Sequence, residues 1–346
     1  MKKIRKSLLV AAATCISLLC LGFYRQQTVI QADDDTPATA IKEYLEKVVN
    51  KQYEDVYDES FSVLMHLNTI ESYEQALREL YGGLRNVEYA PKAEDEDVRL
   101  YSLYRDGQYL ADIRQQRQAD GTWATATVFP KAADYYLEVP VGLIVSVNGT
   151  PMDERYLEAS SVPASNFSGI GSNYNVPLVD RYKIDAMLDI PEVTCEYEEY
   201  ALMKDVSSPV LYYGPDGSGD ADLRDTLISY AQTCAMFPAQ ETSVGSVAAI
   251  SVTDSVWYSR VSGVQNNWFT KHNTSEFSNQ DVLSIVSQSD SAAIANVVFD
   301  YYASNGSVKR TWHCGYQMSL IKVNGVWKIA GMGIDSSMNP GYEKVQ

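Results

Sequence analysis

Few side chains in this sequence have the chemistry of a catalytic centre, and their spacing keeps most of them apart. The acid–base candidates are Asp300, next to Tyr301 and Tyr302, and His313 thirteen residues on. Around His313, period-two alternation puts Trp312, Cys314, Tyr316, Met318 and Leu320 on one face of a strand. His313, Gly315, Gln317 and Ser319 fall on the other. His313 and Cys314 therefore point apart and form no nucleophile–base pair. The three histidines, His66, His272 and His313, show no pair at helical ligand spacing, and there is no Cys-x-x-Cys. Asp33-Asp34-Asp35 lacks the glycine and terminal glutamate of a calcium loop, which leaves a solvated tether. Gly169-Ile-Gly171-Ser172 lacks the later glycine of a dinucleotide fingerprint, and Ser168 and Ser172 have no Gly-x-Ser-x-Gly setting. The expectation is a chain with no catalytic, cofactor-binding or metal-ligating residue.

Aromatic side chains offer a different chemistry. Trp257 and Tyr258 are expected to share a helix with Trp268, while Trp312 and Trp327 sit on strands. Exposed, such rings stack on sugars; buried, they fill cores, and core is the expected fate of all five tryptophans. Trp123 and Trp327, each heading a terminal strand, are expected as core plugs. Asn148, Asn166, Asn273 and Asn305 begin Asn-x-Ser/Thr triplets, the acceptor pattern for N-glycosylation.

The elements that must position these residues follow from periodicity. Thr36-Pro37 reads as an N-cap and first helical residue, with Ile41, Leu45, Val48 and Val49 on one face of a helix to about residue 50. Further helices are expected over 51–60 and 72–81. Strands follow near 85–91, 98–105, 108–117 and 122–129, turned at Asp106-Gly107 and Asp120-Gly121. The stretch 134–215 reads as mostly β, with a turn at Asn148-Gly149, an exposed loop over 160–175 and a strand over 193–203. Gly214-Pro-Asp-Gly-Ser-Gly219 reads as a linker. Helices near 221–236 and 256–268 come next, then strands near 274–287, 292–303, 308–322 and 326–333. The two ends thus share one plan, down to Asp120-Gly-Thr-Trp123 and Asn324-Gly-Val-Trp327.

Charge and the N-terminus bear on location. The first 32 residues hold five bases and no acid; beyond them 23 bases face 45 acids, an excess of 22 negative charges. Such a surface repels polyanions and excludes nucleic acid as a partner bound through its phosphates. Lys2, Lys3, Arg5 and Lys6 precede an uncharged apolar run over 7–24, the pattern of an export signal or membrane anchor. The expectation is a membrane partner through residues 7–24, with the bulk of the chain extracytoplasmic; cutting after Ala32 would instead release it. Cys15 and Cys20 do not fit a lipoprotein site. Cys195, Cys234 and Cys314 are an odd, widely spaced set expected as free thiols, with Cys234–Cys314 pairing as the alternative.

Helices followed by a curled antiparallel sheet ending in a Gly-x-Trp strand resemble the NTF2-like (SnoaL-like) cone fold. Asn324-Gly-Val-Trp-Lys-Ile329 carries the C-terminal resemblance. Ala40-Ile-Lys-Glu-Tyr-Leu45 with Tyr53-Glu-Asp-Val-Tyr57 is similar to the opening of NTF2-like modules in Gram-positive envelope proteins, including non-catalytic domains of some penicillin-binding proteins. Leu137-Glu-Val-Pro140 and Val145-Ser-Val-Asn-Gly149 look like the small β domains of teicoplanin-resistance-associated membrane proteins; the zinc ribbon common in that family is absent, so its cytoplasmic sensing role is not carried over. The resemblance implies an α+β chain: an anchor over 1–32, NTF2-like domains over 33–132 and 216–346, and a mostly-β domain over 133–215. It also implies a cone with an interior, where relatives such as ketosteroid isomerases keep an Asp base. Trp257, Trp268, Asp300, Tyr302, Trp312 and His313 are the pocket residues to inspect. The function expected is non-catalytic binding or scaffolding in a bacterial envelope, with a cell-wall glycan or envelope protein as partner. An isomerase or dehydratase using the C-terminal cone, and a plain spacer, are the competing readings.

Overall fold

The computed structural model describes residues 37–64, 67–83, 87–264 and 271–342. The apolar run 7–24, His66 and Trp268 lie outside them. Among the described residues no helix is long and apolar enough to cross a membrane.

The fold is α+β, with six α-helices among the described residues and sheets that are antiparallel but for one strand pair. It divides into two compact units: one holds 37–64 and 74–130, the other 67–73 and everything from 131 on. Helices α1 (Pro37–Val49), α2 (Tyr53–Leu64) and α3 (Ile70–Tyr81) precede a meander of β1 (Val87–Glu94), β2 (Val98–Arg105), β3 (Gln108–Arg117) and β4 (Trp123–Val128). In the first unit Ile41, Tyr44 and Val48 recur at helical spacing and are buried, as are Leu77 and Tyr81 one turn apart. The Tyr44 and Tyr81 hydroxyls converge on the Thr127 hydroxyl at 2.8 and 2.7 Å, so buried polar groups tie helices to the last strand.

The second unit begins its β structure with β5 (Ala133–Pro140), β6 (Val145–Val147), β7 (Thr150–Pro151), β8 (Leu157–Pro163), β9 (Leu178–Met187), β10 (Val193–Cys195), β11 (Tyr200–Lys204) and β12 (Val210–Pro215). Five of these form a sheet in the order β11-β12-β5-β9-β8, with β12 and β5 parallel. Then come α4 (Ala221–Met236), α5 (Val244–Ile250) and α6 (Val256–Ser262). They precede a meander of long strands, β13 (Thr274–Ser289), β14 (Ala292–Ser304), β15 (Lys309–Val323) and β16 (Val326–Ile334). Helix α4 is N-capped by Asp220, whose carboxylate accepts from the Leu223 amide at 3.0 Å.

Turn chemistry sets the registers. At Asp106-Gly107, Asn148-Gly149 and Asn324-Gly325 both residues have positive φ, the backbone that two-residue hairpins require. Lys322 consequently stands opposite Trp327 across the last hairpin.

Several expectations need correction. The helix expected over 256–268 ends at Ser262 with Gly263 as its C-cap, so Trp257 and Tyr258 do not share it with Trp268. Helix α5, N-capped by Ser243, is an element that the sequence reading lacks. The stretch 193–203 is two short strands, β10 and β11, in different sheets. The supposed exposed loop over 160–175 contains the end of β8 and a 3-10 turn whose Phe167 and flanking Ala164 are buried with Val252, Ile321 and Ala330.

The supposed linker is a seam. Gly217 donates its amide to Ile285 O at 3.0 Å, and Asp216 forms a bridge with Val286. A Cβ on Gly214 would lie 2.5 Å from Ser287 O, and one on Gly217 would lie 2.7 Å from the Ile285 side chain. These glycines permit close backbone approach rather than flexibility. As a result β14 is buried on both faces. Ala293, Ala295, Val297, Phe299 and Tyr301 face α4, while Ile294 packs with Met203, Val210 and Tyr212 from the five-stranded sheet. Gly214→Ala is expected to destabilise the second unit by about 2 kcal/mol or more through overpacking. Urea unfolding checks this; an unchanged midpoint would restore the linker.

Candidate functional site

Asp300 and His313 are register partners on β14 and β15, and they face away from the apolar cluster beneath α4. The His313 Nδ1 lies 2.6 Å from Asp300 Oδ1; the Asp side chain is 9% exposed and the His 35%. Asn279 Nδ2 donates to the other carboxylate oxygen at 2.7 Å. Asn339, buried just after the 3-10 turn Ser336–Met338, aims Nδ2 at Phe299 O, Cys314 O and Asp300 Oδ1, at 2.9, 3.1 and 3.2 Å. Burial pushes the Asp300 carboxyl upward, but the hydrogen bonds from Asn279, His313 and Asn339 outweigh it and hold the group below its ordinary value of 3.8. An acid held ionised by three donors is a poor proton shuttle near neutrality. Gly315 lets the closing segment lie flat here, since a Cβ there would meet Asp335 O at 2.2 Å. The cluster clasps residues 335–342 to the sheet.

A second acid–base pair went unseen in the sequence because its members are 31 residues apart. Glu241, after α4, accepts from His272 Nε2 at 2.8 Å, with the side chains 20% and 12% exposed. Burial raises the Glu241 carboxyl, and hydrogen bonds with Ser275, His272 and Tyr301 bring it below its usual value. Burial and the Glu241 charge push the Tyr301 hydroxyl up. Glu241 and His272 line an open cleft of about 410 Å³ whose remaining walls, Gln240, Lys271, Asn273 and Ser275 among them, are mostly polar. Among the described residues no group of three His, Cys, Asp or Glu side chains could hold a metal ion. Cys195, Cys234 and Cys314 are free thiols, and burial raises the Cys234 thiol to about 12 and Cys314 to about 11, so neither is a ready nucleophile.

The aromatic candidates separate. Trp257 and Trp312 are half-buried against the apolar cluster under α4, and Tyr301 lies 5.9 Å from the Trp312 ring. Tyr302 is half-buried on the Asp300 face. Trp327 is not the full core plug expected. Its inner side packs on the cluster, while Lys322 Nζ lies 4.6 Å from its ring centroid. Trp123 repeats the arrangement, with the Arg99 guanidinium 4.5 Å from its ring. Trp327 lines an open groove of about 450 Å³ in the second unit with Pro140, Tyr200, Asp220, Asp290 and Lys322. Tyr200 stacks on the exposed Tyr197 at 5.5 Å and tilts against Tyr213, which braces its ring. The Lys322–Trp327 contact had a sequence signal, because a two-residue turn places those positions opposite. The joining of Tyr200 to Trp327, 127 positions apart, had none.

No family model matches the chain, and no curated protein matches it. Among solved structures, an NTF2-like protein involved in plasmid conjugation aligns over 76% of this chain and 83% of its own, at 11% identity and a TM-score of 0.26. A superposition that loose transfers no site.

Asp300→Asn tests the clasp. A carboxyl held low when folded contributes stability that is complete above about pH 4 and lost as pH falls through the lower folded value. The substitution is expected to cost about 1–3 kcal/mol at pH 7 and to flatten the loss of stability in acid. Urea unfolding from pH 7 to pH 2 checks it, and parallel acid limbs would reject the assignment. Trp327→Ala is expected to cost about 2 kcal/mol, below the 3–5 of a full core aromatic, because only one face is packed; calorimetry measures the difference.

Proposed function

We propose that this chain is a non-catalytic binding or scaffolding protein of a bacterial envelope, acting outside the membrane through the groove of its second unit. The observation that carries this reading is the groove itself. It is open, and the partly exposed rings of Tyr200 and Trp327 are part of its lining, a chemistry that recognition surfaces use. Asp300 and His313 speak against the isomerase or dehydratase alternative, because they lie off the apolar interior and are engaged in the closing clasp. The spacer reading draws support from the stitched seam at Gly214–Gly217, since a scaffold also needs a rigid joint.

The finer parts of the reading are also proposals. The repeated order of helices then a four-stranded antiparallel meander supports NTF2-like architecture at both ends of the chain. The basic residues before the apolar run 7–24 support an anchor with the C-terminal bulk outside. The partner class is a cell-wall component or another envelope protein.

Two measurements test the proposal. Alkaline phosphatase fused behind Gln346 is expected to be active, because it matures only outside the cytoplasm; a fusion active only as a cytosolic reporter would overturn the location. The chain is expected to cosediment with isolated envelope material, and Tyr200→Ala to reduce the bound fraction several-fold. Equal retention of both proteins would remove the groove from the function.

A further inference from the structure

The groove in the second unit carries a charge pattern that narrows its partner. We propose that it takes the lysine side chains of a basic, extended peptide segment of a partner protein; this rests on the groove-binding reading and specifies its ligand. Three observations lead there.

The first is the occupant already present. Lys322 lays its ammonium 4.6 Å from the Trp327 ring centroid and donates to Asp290 O at 3.0 Å. An aromatic face beside a carbonyl oxygen is a seat for an ammonium group, and the group resting there is a lysine head on its four-carbon stem. The slot therefore fits that side chain.

The second is the charge of the walls. Asp220 and Asp290 both line the groove and both are exposed. Asp220 accepts from the Leu223 amide through Oδ1, and the residue remains exposed. The lining holds two carboxylates against the single ammonium of Lys322.

The third is the setting. Between residues 189 and 225, which supply Tyr200, Pro215, Gly217 and Asp220 to the groove, there are ten acids and two bases. One of those bases, Arg224, is paired with Asp281 at 2.8 Å. A field of that sign draws a basic segment toward the groove and repels acidic polymers, in keeping with the excess of 22 negative charges beyond residue 32. A neutral glycan would gain nothing from it.

The proposal assigns each residue a part. Asp220 and Asp290 receive ammonium groups, the Trp327 face accepts one of them when Lys322 swings aside, and Tyr200 with Pro140 supports the apolar stems. Lys322 acts as an internal competitor.

The test uses the full chain in detergent and isothermal titration with hexalysine, its fully acetylated counterpart, and a hexamer of N-acetylglucosamine. Hexalysine alone should bind, about tenfold more weakly when salt rises from 50 to 200 mM. Asp220→Asn with Asp290→Asn should weaken binding about tenfold, and the asparagine at 220 still caps α4. Lys322→Ala should tighten binding several-fold. Equal binding of the acetylated peptide, or hexalysine binding indifferent to the double substitution, would overturn the proposal. Binding of the neutral glycan alone, weakened by Tyr200→Ala, would overturn it while preserving the groove as a recognition site. No binding of any probe would overturn it too, and the envelope cosedimentation then decides the wider reading.

Discussion

The second unit depends on burying both faces of β14 and β15. One face packs under α4, an apolar arrangement that an amphipathic helix and an alternating strand produce by themselves. The other face carries Asn296, Asp300, His313, Gln317 and Ser319, and each polar atom removed from water there needs a partner. The partners come from chain far away in sequence. Gln317 donates to Lys204 O at 2.8 Å and to Asn296 at 3.0 Å, and accepts from the Val206 amide at 3.1 Å. Asn166 exchanges hydrogen bonds with Gln288, at 2.9 and 3.0 Å, and reaches Ser319 at 3.1 Å. An unmatched buried amide costs about 1–3 kcal/mol, so the lattice specifies one docking of the β module on the sheet.

That docking explains the seam. Two sheets approach closely only where the backbone has no side chain to obstruct it, and Gly214 and Gly217 stand at those places. The same closeness brings Tyr200 of β11 and Trp327 of β16 to the lining of one groove. The groove is thus a product of the joint rather than of either sheet. The closing segment obeys the same constraint, since Asn339 fills the space over Asp300 and Gly315 makes room for it.

Asp300 and Glu241 are both held ionised by convergent donors, which stabilises the folded state. The groove differs: its carboxylates are exposed, and its lysine rests on the Trp327 ring.

The sequence by itself determined what local physics controls. Runs rich in Tyr, Val, Leu and Ile between turn pairs placed the eight meander strands to within a few residues, and Asp-Gly or Asn-Gly pairs set three hairpin registers because few other residues tolerate positive φ. It separated His313 from Cys314 by alternation alone. The tertiary structure decided what depends on residues distant in the chain. Composition made Gly214–Gly219 look like a linker because glycine serves both freedom and close approach, and only the neighbouring strand distinguishes them. Asp300 looked like an interior acid until Asn339 was seen to cover it, and the Glu241–His272 pair had no periodic signal. The groove was illegible for the same reason: Tyr200 and Trp327 become neighbours only through long-range pairing, which no local pattern records.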